Sequence, residues 1–500
     1  MLLLTLSLIF LIFLILYFYM TKNLNYWKIR GVEYEKPISF FGNTFGLFIS
    51  TIGITPLFKR IYNYSSDAPY VGFFIFNKPM LLLRDPEIIK NILVRDFSFF
   101  KDRYASTVAH EKIASSGLFM SKNPQWKYVR GKLTPLYTSV RLRKMFDRML
   151  DVAVDLDTYM DSLNLTDRGK VIEYKDLCAK FTTDMIATTA YGLRANSLNN
   201  PNAEFRKYGQ ESFEASFMRN IVICSIFFSP KLTRFFDLKW FSPNATNLLR
   251  SAFWSTLNQR EESKIKQTDL IDLLIELKNN QPDHEKSLFE FNGDNIVAQA
   301  AIFFTAGFET SSSLFAFTLY ELAINPDIQS RLRNDINNAL KKTNGIITYD
   351  MVTTLPYLDM IVHETLRKYP PLPFLDRIAA DDYKVPGTNL IIEKGMGVFI
   401  PLTAIHSDPQ YHENPDKFDP ERFSEKNKES IKYSYYPFGD GPRNCIGMRL
   451  GLIQSKLGLI KVISKYEFTP CKDTLIPMEF STKGLFSTPK TGIYLNTRKL

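Results

Sequence analysis

The chain has 500 residues, of which 45% are hydrophobic and 14% aromatic, so it is long enough to bury a large core. Its formal net charge is +10, but 52 acidic residues are interspersed with 62 basic ones and no polybasic block occurs, which argues against nucleic-acid binding. The four cysteines show no Cys-x-x-Cys spacing, which argues against a zinc site or a disulfide framework and fits a reducing compartment.

An uncharged apolar stretch opens the chain. Residues 2–20 carry no charge and can span a bilayer core, which needs about 20 apolar residues. A cleaved signal peptide is the alternative, but no small-x-small cleavage site follows and no Lys or Arg precedes the stretch. The basic residues Lys22, Lys28 and Arg30 follow it, so the positive-inside tendency predicts that the rest of the chain is cytosolic. We therefore expect a transmembrane anchor at 1–20, a linker and hinge at 21–43, and one large domain at 44–500.

Apolar spacing of three and four dominates this domain and predicts helices. The predicted helices cover residues 85–97, 124–150, 171–192, 246–278, 294–324, 326–342 and 357–369. Strand patterns are short and cover residues 70–76, 80–83, 390–392, 397–400 and 492–495. No Gly-x-Gly-x-x-Gly follows a predicted strand, so a doubly wound nucleotide-binding fold is not expected. The balance predicts a mainly α fold with small peripheral β-sheets.

Two helical patterns carry polar residues that could serve chemistry. The helix predicted at 294–324 has the centre Ala306-Gly307-Phe308-Glu309-Thr310-Ser311. A helix that widened there would leave carbonyls for water, and Thr310 with Glu309 would offer a proton route. The alternative is a hydroxyl that bonds back to its own helix beside a tolerated glycine. Trp126 with Arg130, and Glu364 with Arg367, are pairs one helical turn apart that can contact each other.

Cys445 has the most specific surroundings of the four cysteines. Two glycines and a proline force a tight turn before a long apolar helix, so we expect Cys445 at the N-terminus of that helix. The partial positive charge there favours a thiolate, which is a soft ligand for iron. Gly441 and Gly447 leave room for a flat macrocycle near the backbone, and Arg443 is placed to pair with a haem carboxylate. We interpret Cys178, Cys224 and Cys471 as structural.

The pattern Phe-x-x-Gly-x-Arg-x-Cys-x-Gly is met by Phe438, Gly441, Arg443, Cys445 and Gly447, and it resembles the cytochrome P450 family. The resemblance runs from the anchor to the C-terminus. It implies the cytochrome P450 fold, haem b with Cys445 as the axial ligand of the iron, and monooxygenase activity with O2 and electrons derived from NADPH.

The same resemblance implies roles for residues outside the cysteine motif. Ala306, Glu309 and Thr310 belong to the oxygen-activating groove, with Glu309 and Thr310 as the catalytic pair. Trp126, Arg130, Arg377 and Arg443 bind the haem propionates, with Arg103 as a further candidate, and Phe438 and Ala306 lie against the haem. Glu364, Arg367 and Arg422 form a structural lock behind the cysteine.

Partners and substrates follow from the resemblance as well. No flavin or nicotinamide motif is present, so we expect electrons to come from a separate NADPH-cytochrome P450 reductase, with cytochrome b5 as an optional partner. We expect these partners to dock on a basic face that includes Lys127, Arg443 and Arg449. Apolar and aromatic walls favour lipophilic small molecules, and ordinary core is the alternative for any one of their side chains. The predicted walls are residues 106–118, 213–228, 302–304 with 306, 374–375 and 480–486.

The phrases around Ala306 and Phe438 resemble most closely insect enzymes of the sixth P450 family, which oxidise plant toxins, insecticides and other xenobiotics. The resemblance implies an endoplasmic reticulum membrane protein with its domain on the cytosolic face. The chain departs from many relatives because it has no Pro-Pro-Gly-Pro hinge after the anchor. Two rivals stay open: a haem-thiolate isomerase or dehydratase acting on peroxides, and a non-catalytic haem sensor. The Glu309-Thr310 pair disfavours both, since neither needs a proton route.

Overall fold

The computed structural model describes residues 2–200, 202–431 and 433–500, so Met1 of the predicted anchor lies outside the described residues. Helices dominate it. The α-helices are Leu2–Thr21, Tyr26–Ile29, Phe45–Phe48, Ile54–Tyr62, Pro86–Lys90, Lys112–Ser115, Gln125–Leu133, Ser139–Ser162, Tyr174–Ile186, Glu204–Phe213, Phe217–Phe228, Pro230–Phe235, Pro243–Ser263, Leu270–Asn280, Asp283–Lys286, Gly293–Ile324, Pro326–Lys342, Tyr349–Thr354, Pro356–Lys368, Leu402–Ile405, Lys428–Ile431 and Met448–Ile463. Short π-helices lie at Asn91–Arg95 and Ala187–Tyr191, and 3₁₀-helices at Thr134–Tyr137, Pro420–Phe423 and Gly441–Arg443.

The strands form small sheets at the edge of the helical body. The four-stranded sheet has the order Tyr70–Ile75, Lys78–Leu83, Gly397–Ile400 and Leu375–Ile378, with the two middle strands parallel. The three-stranded sheet has the order Lys170–Glu173, Tyr494–Lys499 and Tyr466–Pro470, and Tyr383–Lys384 pairs with Ile391–Ile392. The mainly α fold with small peripheral sheets is confirmed.

Several predicted helices are divided in the structure. The segment predicted at 124–150 breaks at the 3₁₀ turn Thr134–Tyr137, where Pro135 lacks an N–H, and it resumes as Ser139–Ser162. The segment predicted at 246–278 ends at Ser263, since Lys264 takes a left-handed φ of 55°. Residues 170–173, at the start of the helix predicted at 171–192, form a strand because they pair with Tyr494–Lys499.

The apolar N-terminal helix Leu2–Thr21 has no buried residue and a mean hydropathy of 2.7, which suits a membrane anchor. Its last turns touch the domain: Asn77 Nδ2 donates to the carbonyl of Tyr19 at 2.9 Å. In the segment predicted as linker and hinge, Trp27 is fully buried, and its ring lies where a β-carbon on Gly72 would be. Trp27 Nε1 also donates to the carbonyl of Phe73 at 3.2 Å, so this segment packs on the four-stranded sheet.

The helix Gly293–Ile324, called the central helix below, crosses the main apolar core. It is long and apolar enough to span a membrane, but 78% of its most apolar window is buried in the protein, so it is a core helix. It packs against the helices Tyr174–Ile186 and Met448–Ile463. A second apolar core surrounds the four-stranded sheet. The candidate site is built from the central helix, its neighbours and the turn before Met448.

Candidate functional site

The turn that carries the predicted ligand, residues 437–447, is called the cysteine loop. Asp440 Oδ1 accepts from the N–H of Gly441, and the N–H of Cys445 donates to the carbonyl of Phe438 at 2.8 Å, which closes the loop. The following helix begins at Met448 with Gly447 as its N-cap residue. Cys445 therefore lies two residues before the cap, and the expectation that it stands at the helix N-terminus itself needs this correction.

The thiol of Cys445 is accessible although protein surrounds it. The residue is exposed, yet burial by the surrounding protein raises the pKa of its thiol above the usual range. The backbone N–H of Gly447 and the nearby guanidiniums of Arg130 and Arg103 act in the opposite direction. Accessibility together with dense surroundings indicates a thiol that opens into an interior space, as a ligand to a bound group requires.

The two predicted glycines of the loop differ in what requires them. Gly441 has φ of 68°, and a β-carbon there would lie 2.0 Å from the carbonyl oxygen of Leu93, so the protein itself demands glycine. At Gly447 a β-carbon would lie 3.6 Å from the ring of Tyr137, an ordinary contact. The contact with Leu93 is thus enough to explain why residue 441 is glycine. For Gly447, that glycine leaves room for a macrocycle stays a prediction.

The central helix remains helical through Ala306–Ser311, so the expected widening is not found. Thr310 Oγ1 donates to the carbonyl of Ala306 at 2.7 Å, which is the alternative considered above. The next two carbonyls are also occupied: Gln454 Nε2 donates to Gly307 at 2.9 Å, and Thr182 Oγ1 donates to Phe308 at 2.8 Å. These side chains satisfy carbonyls that were expected to bind water.

Ala306 is exposed although most of the central helix around it is buried, so it faces an interior space as Cys445 does. Two contacts bring the loop and the helix together. The ring of Tyr137 stacks on Phe303 of the central helix at 5.1 Å between centroids and also lies beside Gly447. Gln454, on the helix that follows the loop, bonds to Gly307. We infer that Ala306 and Cys445 line one interior space.

Glu309 is buried and held away from solvent by a neighbouring helix. Lys175 Nζ donates to Glu309 Oε1 at 2.9 Å and to Ser312 Oγ at 3.0 Å. Both partners are mostly covered, with side-chain exposures of 13% for Lys175 and 9% for Glu309. Glu309 is thus half of a buried ion pair, a partner that its place in the sequence does not reveal.

A dense group of cations, called the cationic cluster, lies beside the cysteine loop. Its members are Arg103, Lys122, Arg377 and Arg443, with the carboxylates of Asp102 and Asp376 among them. Burial lowers the pKa of Arg377 and of Arg443 to about 9 and that of Lys122 to about 8. Burial raises the pKa of Asp376, but Arg103 and the N–H of Ala105 outweigh it, and the net shift is downward.

The charges of this cluster do not balance, since four cations face two carboxylates. Arg103 Nη1 pairs with Asp376 at 3.1 Å and Arg443 Nη2 with Asp102 at 3.0 Å, but the buried Nε atoms of Arg103 and Arg377 have no partner among the residues that the structure describes. Unpaired buried donors and an excess of two positive charges suit a group with two carboxylates. Haem b has two propionates, so the donor set fits that group.

Trp126 and Arg130 share the helix Gln125–Leu133, and each contacts the cysteine loop. The guanidinium of Arg443 lies 4.2 Å from the centre of the Trp126 ring. Arg130 donates from Nη1 to the carbonyl and from Nη2 to Oδ1 of Asn444, both at 2.8 Å. Arg443 also donates to the carbonyls of residues 101 and 121. These residues hold the loop in place whatever else they bind.

The predicted pocket walls converge in aromatic clusters. The ring of Phe213 lies 5.7 Å from Phe308 and 5.1 Å from Phe486, and the ring of Phe227 lies 6.0 Å from Phe374. Phe213 thus brings Phe486 and the central helix together, although the three segments are distant in sequence. A surface cleft of about 850 Å³ lies elsewhere; its lining is polar, and none of the predicted site residues belongs to it.

The structural lock is confirmed. Arg367 Nε and Nη2 donate to the two carboxylate oxygens of Glu364 at 2.7 and 2.8 Å, and Arg422 Nε lies 3.4 Å from the same carboxylate. Arg367 also donates to the carbonyls of His406 and Pro415 at 2.8 Å. Glu364 and Arg367 are almost wholly buried, so this network fixes the chain segments behind the cysteine loop.

Four site residues were missed by the sequence analysis: Lys175, Gln454, Asp376 and Lys122. Each acts through a partner far along the chain, such as Glu309, which is 134 residues from Lys175. None stands in a recognisable motif. Only Asp376 gave a local signal, because a buried strand rarely contains a carboxylate without a partner.

Comparison with known proteins gives a consistent result. The family model described as Cytochrome P450 matches residues 33–496. "Cytochrome P450 6k1" of Blattella germanica is 45% identical over 495 residues, covering 96% of this chain and 94% of the relative. "Probable cytochrome P450 6g2" of Drosophila melanogaster is 41% identical, covering 95% and 94%. "Probable cytochrome P450 6a13" of the same species is 38% identical, covering 99% of both chains.

Proposed function

Because this chain belongs to the cytochrome P450 family, whose members bind haem and act as monooxygenases, we propose that Cys445 is its axial iron ligand and that its substrates are lipophilic small molecules. The observation that carries the proposal is that the Cys445 thiol is accessible although protein surrounds it, beside a cluster in which four cations face two carboxylates. A soft thiolate ligand and a site for two carboxylates are what haem b requires.

When bound, haem supplies the activation of O2. The overall reaction takes up a substrate RH, O2, two electrons and two protons, and it releases ROH and water. In our proposal the chain provides the protons through Glu309 and Thr310. The hydroxyl of Thr310, which donates to the carbonyl of Ala306, can turn toward the interior space, and Glu309 is the adjacent ionisable group.

We assign the binding of the propionates to Arg103, Arg377, Arg443, Trp126 and Arg130. The support is the charge excess of the cationic cluster and the unpaired Nε atoms of Arg103 and Arg377. Phe438 and Gly447 in the loop, with Ala306 on the central helix, are proposed to contact the flat faces of the haem, since small or apolar side chains permit close approach.

The proposed substrates are xenobiotics such as plant toxins or insecticides, with endogenous lipids as a second class. The partly exposed rings of Phe213 and Phe486, which lie 5.1 Å apart in the predicted walls, support apolar ligands, because such surfaces gain most from excluding water. Electrons are proposed to come from NADPH through a separate reductase, with cytochrome b5 as a further partner. Exposed Lys127 and Arg449, near the cysteine loop, provide a basic surface for an acidic partner.

We propose that the protein resides in the endoplasmic reticulum membrane with residues 1–20 as anchor, 21–43 as connector and 44–500 as the cytosolic haem domain. The exposed, apolar Leu2–Thr21 helix supports the anchor. Lys22, Lys28 and Arg30 directly after it support the cytosolic orientation, because basic residues flanking a membrane helix tend to stay in the cytosol.

The ligand assignment is tested by the carbon monoxide difference spectrum of the reduced holoprotein. We expect the band of thiolate-ligated haem in the parent protein and in Cys471→Ala, a matched control at a partly exposed cysteine, and its loss in Cys445→Ala. A band that survives Cys445→Ala would refute the assignment. With reductase and NADPH, an oxygenated product supports a monooxygenase, whereas product formation without NADPH would support the isomerase rival.

A further inference from the structure

The acid of the proposed proton pair is held by a residue from another helix. Lys175 stands in the first turn of the helix Tyr174–Ile186 and donates to Glu309 at 2.9 Å. The same ammonium donates to Ser312, whose hydroxyl donates to the carbonyl of Glu309. Lys175 therefore fixes Glu309 at two points, its carboxylate directly and its backbone through Ser312.

This ion pair costs free energy of hydration. Bringing two charges into a protein interior loses hydration that their attraction only partly restores, so a buried ion pair adds little net stability. The backbone around Glu309 is already bound from outside by Thr182 and Gln454. The helix would thus be held in place without Lys175, and the ion pair acts mainly on the position of one carboxylate.

We propose that Lys175 is a positioning residue for proton supply: its ion pair holds the Glu309 carboxyl group in place next to Thr310 in the chain, so that protons from solvent can pass through it toward the interior space. The inference rests on the proposed role of Glu309. Glu309 takes up one proton from water for each proton that it passes to the reaction, so its own charge is unchanged after a turnover. Lys175 is partly exposed, and it therefore joins the buried acid to the surface of the protein.

The other charged groups near this pair are already engaged. Glu173 caps the helix by accepting from the N–H groups of Lys175 and Asp176. Asp176 pairs with Lys180 at 2.9 Å and with Arg206 at 2.8 Å. From the Met448–Ile463 helix, the neutral side chains of Gln454 and Ser455 reach the central helix nearby. Lys175 is the one cation that pairs with Glu309 among the described residues.

The test replaces Lys175 by Met, which keeps the length of the side chain and removes its charge. Holoprotein is assayed with reductase, NADPH and 7-ethoxycoumarin as a lipophilic probe, and product and hydrogen peroxide per NADPH are measured. Without the ammonium the Glu309 carboxyl group is no longer held in place, so more of the NADPH should be lost to hydrogen peroxide. Coupled turnover should fall by about tenfold, less than the 10²–10⁴-fold typical for loss of a general acid.

Three further variants make the result specific. Lys175→Arg keeps the charge and should restore coupling, and Lys175→Met should have no added effect on coupling in a Glu309→Gln background. Lys368→Met breaks a comparable pair: Lys368, at the end of the helix Pro356–Lys368, lies 2.8 Å from Glu321, a buried residue of the central helix about 18 Å from Glu309 along the helix axis. It should lower the urea midpoint without changing coupling.

The outcomes separate this inference from the proposed function. If Glu309→Gln leaves coupling unchanged, the proton role of Glu309 is wrong. If Glu309→Gln uncouples the enzyme but Lys175→Met keeps the parent ratio of product to hydrogen peroxide, only the role of Lys175 is overturned. Urea unfolding gives a readout that does not depend on turnover. The variant with both Lys175→Met and Glu309→Gln should lose less free energy of unfolding than the two single variants lose in total, because each change breaks the same pair. If Lys175→Met yields no holoprotein, Lys175→Gln takes its place under the same criteria.

Discussion

Gly441 gives the sharpest test of the loop geometry, because the chain offers a matched control. Gly441 has φ of 68° and Gly387 has φ of 74°, so alanine is strained at both positions, by about 1–2 kcal/mol. At Gly387 nothing lies within 4 Å of the added β-carbon, whereas at Gly441 it would meet the carbonyl oxygen of Leu93 at 2.0 Å. Backbone must then move, which typically adds about 1–3 kcal/mol.

Gly441→Ala should therefore cost about 2–5 kcal/mol and Gly387→Ala only about 1–2 kcal/mol. Urea unfolding of the holoproteins, followed by tryptophan fluorescence and haem absorbance, measures both. The haem content per chain should fall only in Gly441→Ala, since its displaced backbone belongs to the cysteine loop. Equal loss of stability in the two variants would refute the reasoning, because it would mean that the contact with Leu93 does not constrain the loop.

Three more outcomes follow from the structure. Arg367→Met leaves the charge of Glu364 buried without its main partner, which should cost about 3–5 kcal/mol of stability, so little holoprotein should accumulate. Arg422→Met removes a longer contact and should lower the yield less; equal yields of the two variants would contradict this. Burial, aided by Arg367, lowers the pKa of His412 to about 4, so the unfolded chain, with a histidine pKa of about 6.5, binds more protons between these values. Stability should then fall by about 2 kcal/mol from about pH 7 to about pH 5, and His412→Gln should lessen this fall in urea titrations. Deletion of residues 2–21 should release the protein from membranes at alkaline pH, and continued retention would place the main attachment elsewhere.

Local patterns in the sequence predicted the central helix within one residue at its start. The observed helix, Gly293–Ile324, begins after Asn292, whose side chain caps it, and ends before Pro326, so both limits are local signals. The prediction of one unbroken helix at 124–150 was wrong, although Pro135 marked the break. The apolar periodicity on both sides of Pro135 led to the prediction that the helix continues through it.

The site could be predicted only where its chemistry is contained in a short motif. The cysteine loop has its specific residues within ten positions, whereas the ion pair of Lys175 with Glu309 depends on how two helices pack. The same holds for Asp376, which lies in a strand and joins Arg103 across 273 residues. The continuous helix at Thr310 also depended on distant groups, since Gln454 and Thr182 bind carbonyls that water would otherwise occupy.

The buried Trp27 bears on how the enzyme meets other proteins. Its ring lies flat against Gly72, six residues after the apolar N-terminal helix ends, so the catalytic body is joined to that helix by a stiff, short strut. If the helix is held in a membrane and electrons come from a reductase in the same membrane, as proposed above, the domain presents the same side to that partner at each encounter. Less orientational freedom is then lost when the two proteins dock, which favours their association even through a small contact area.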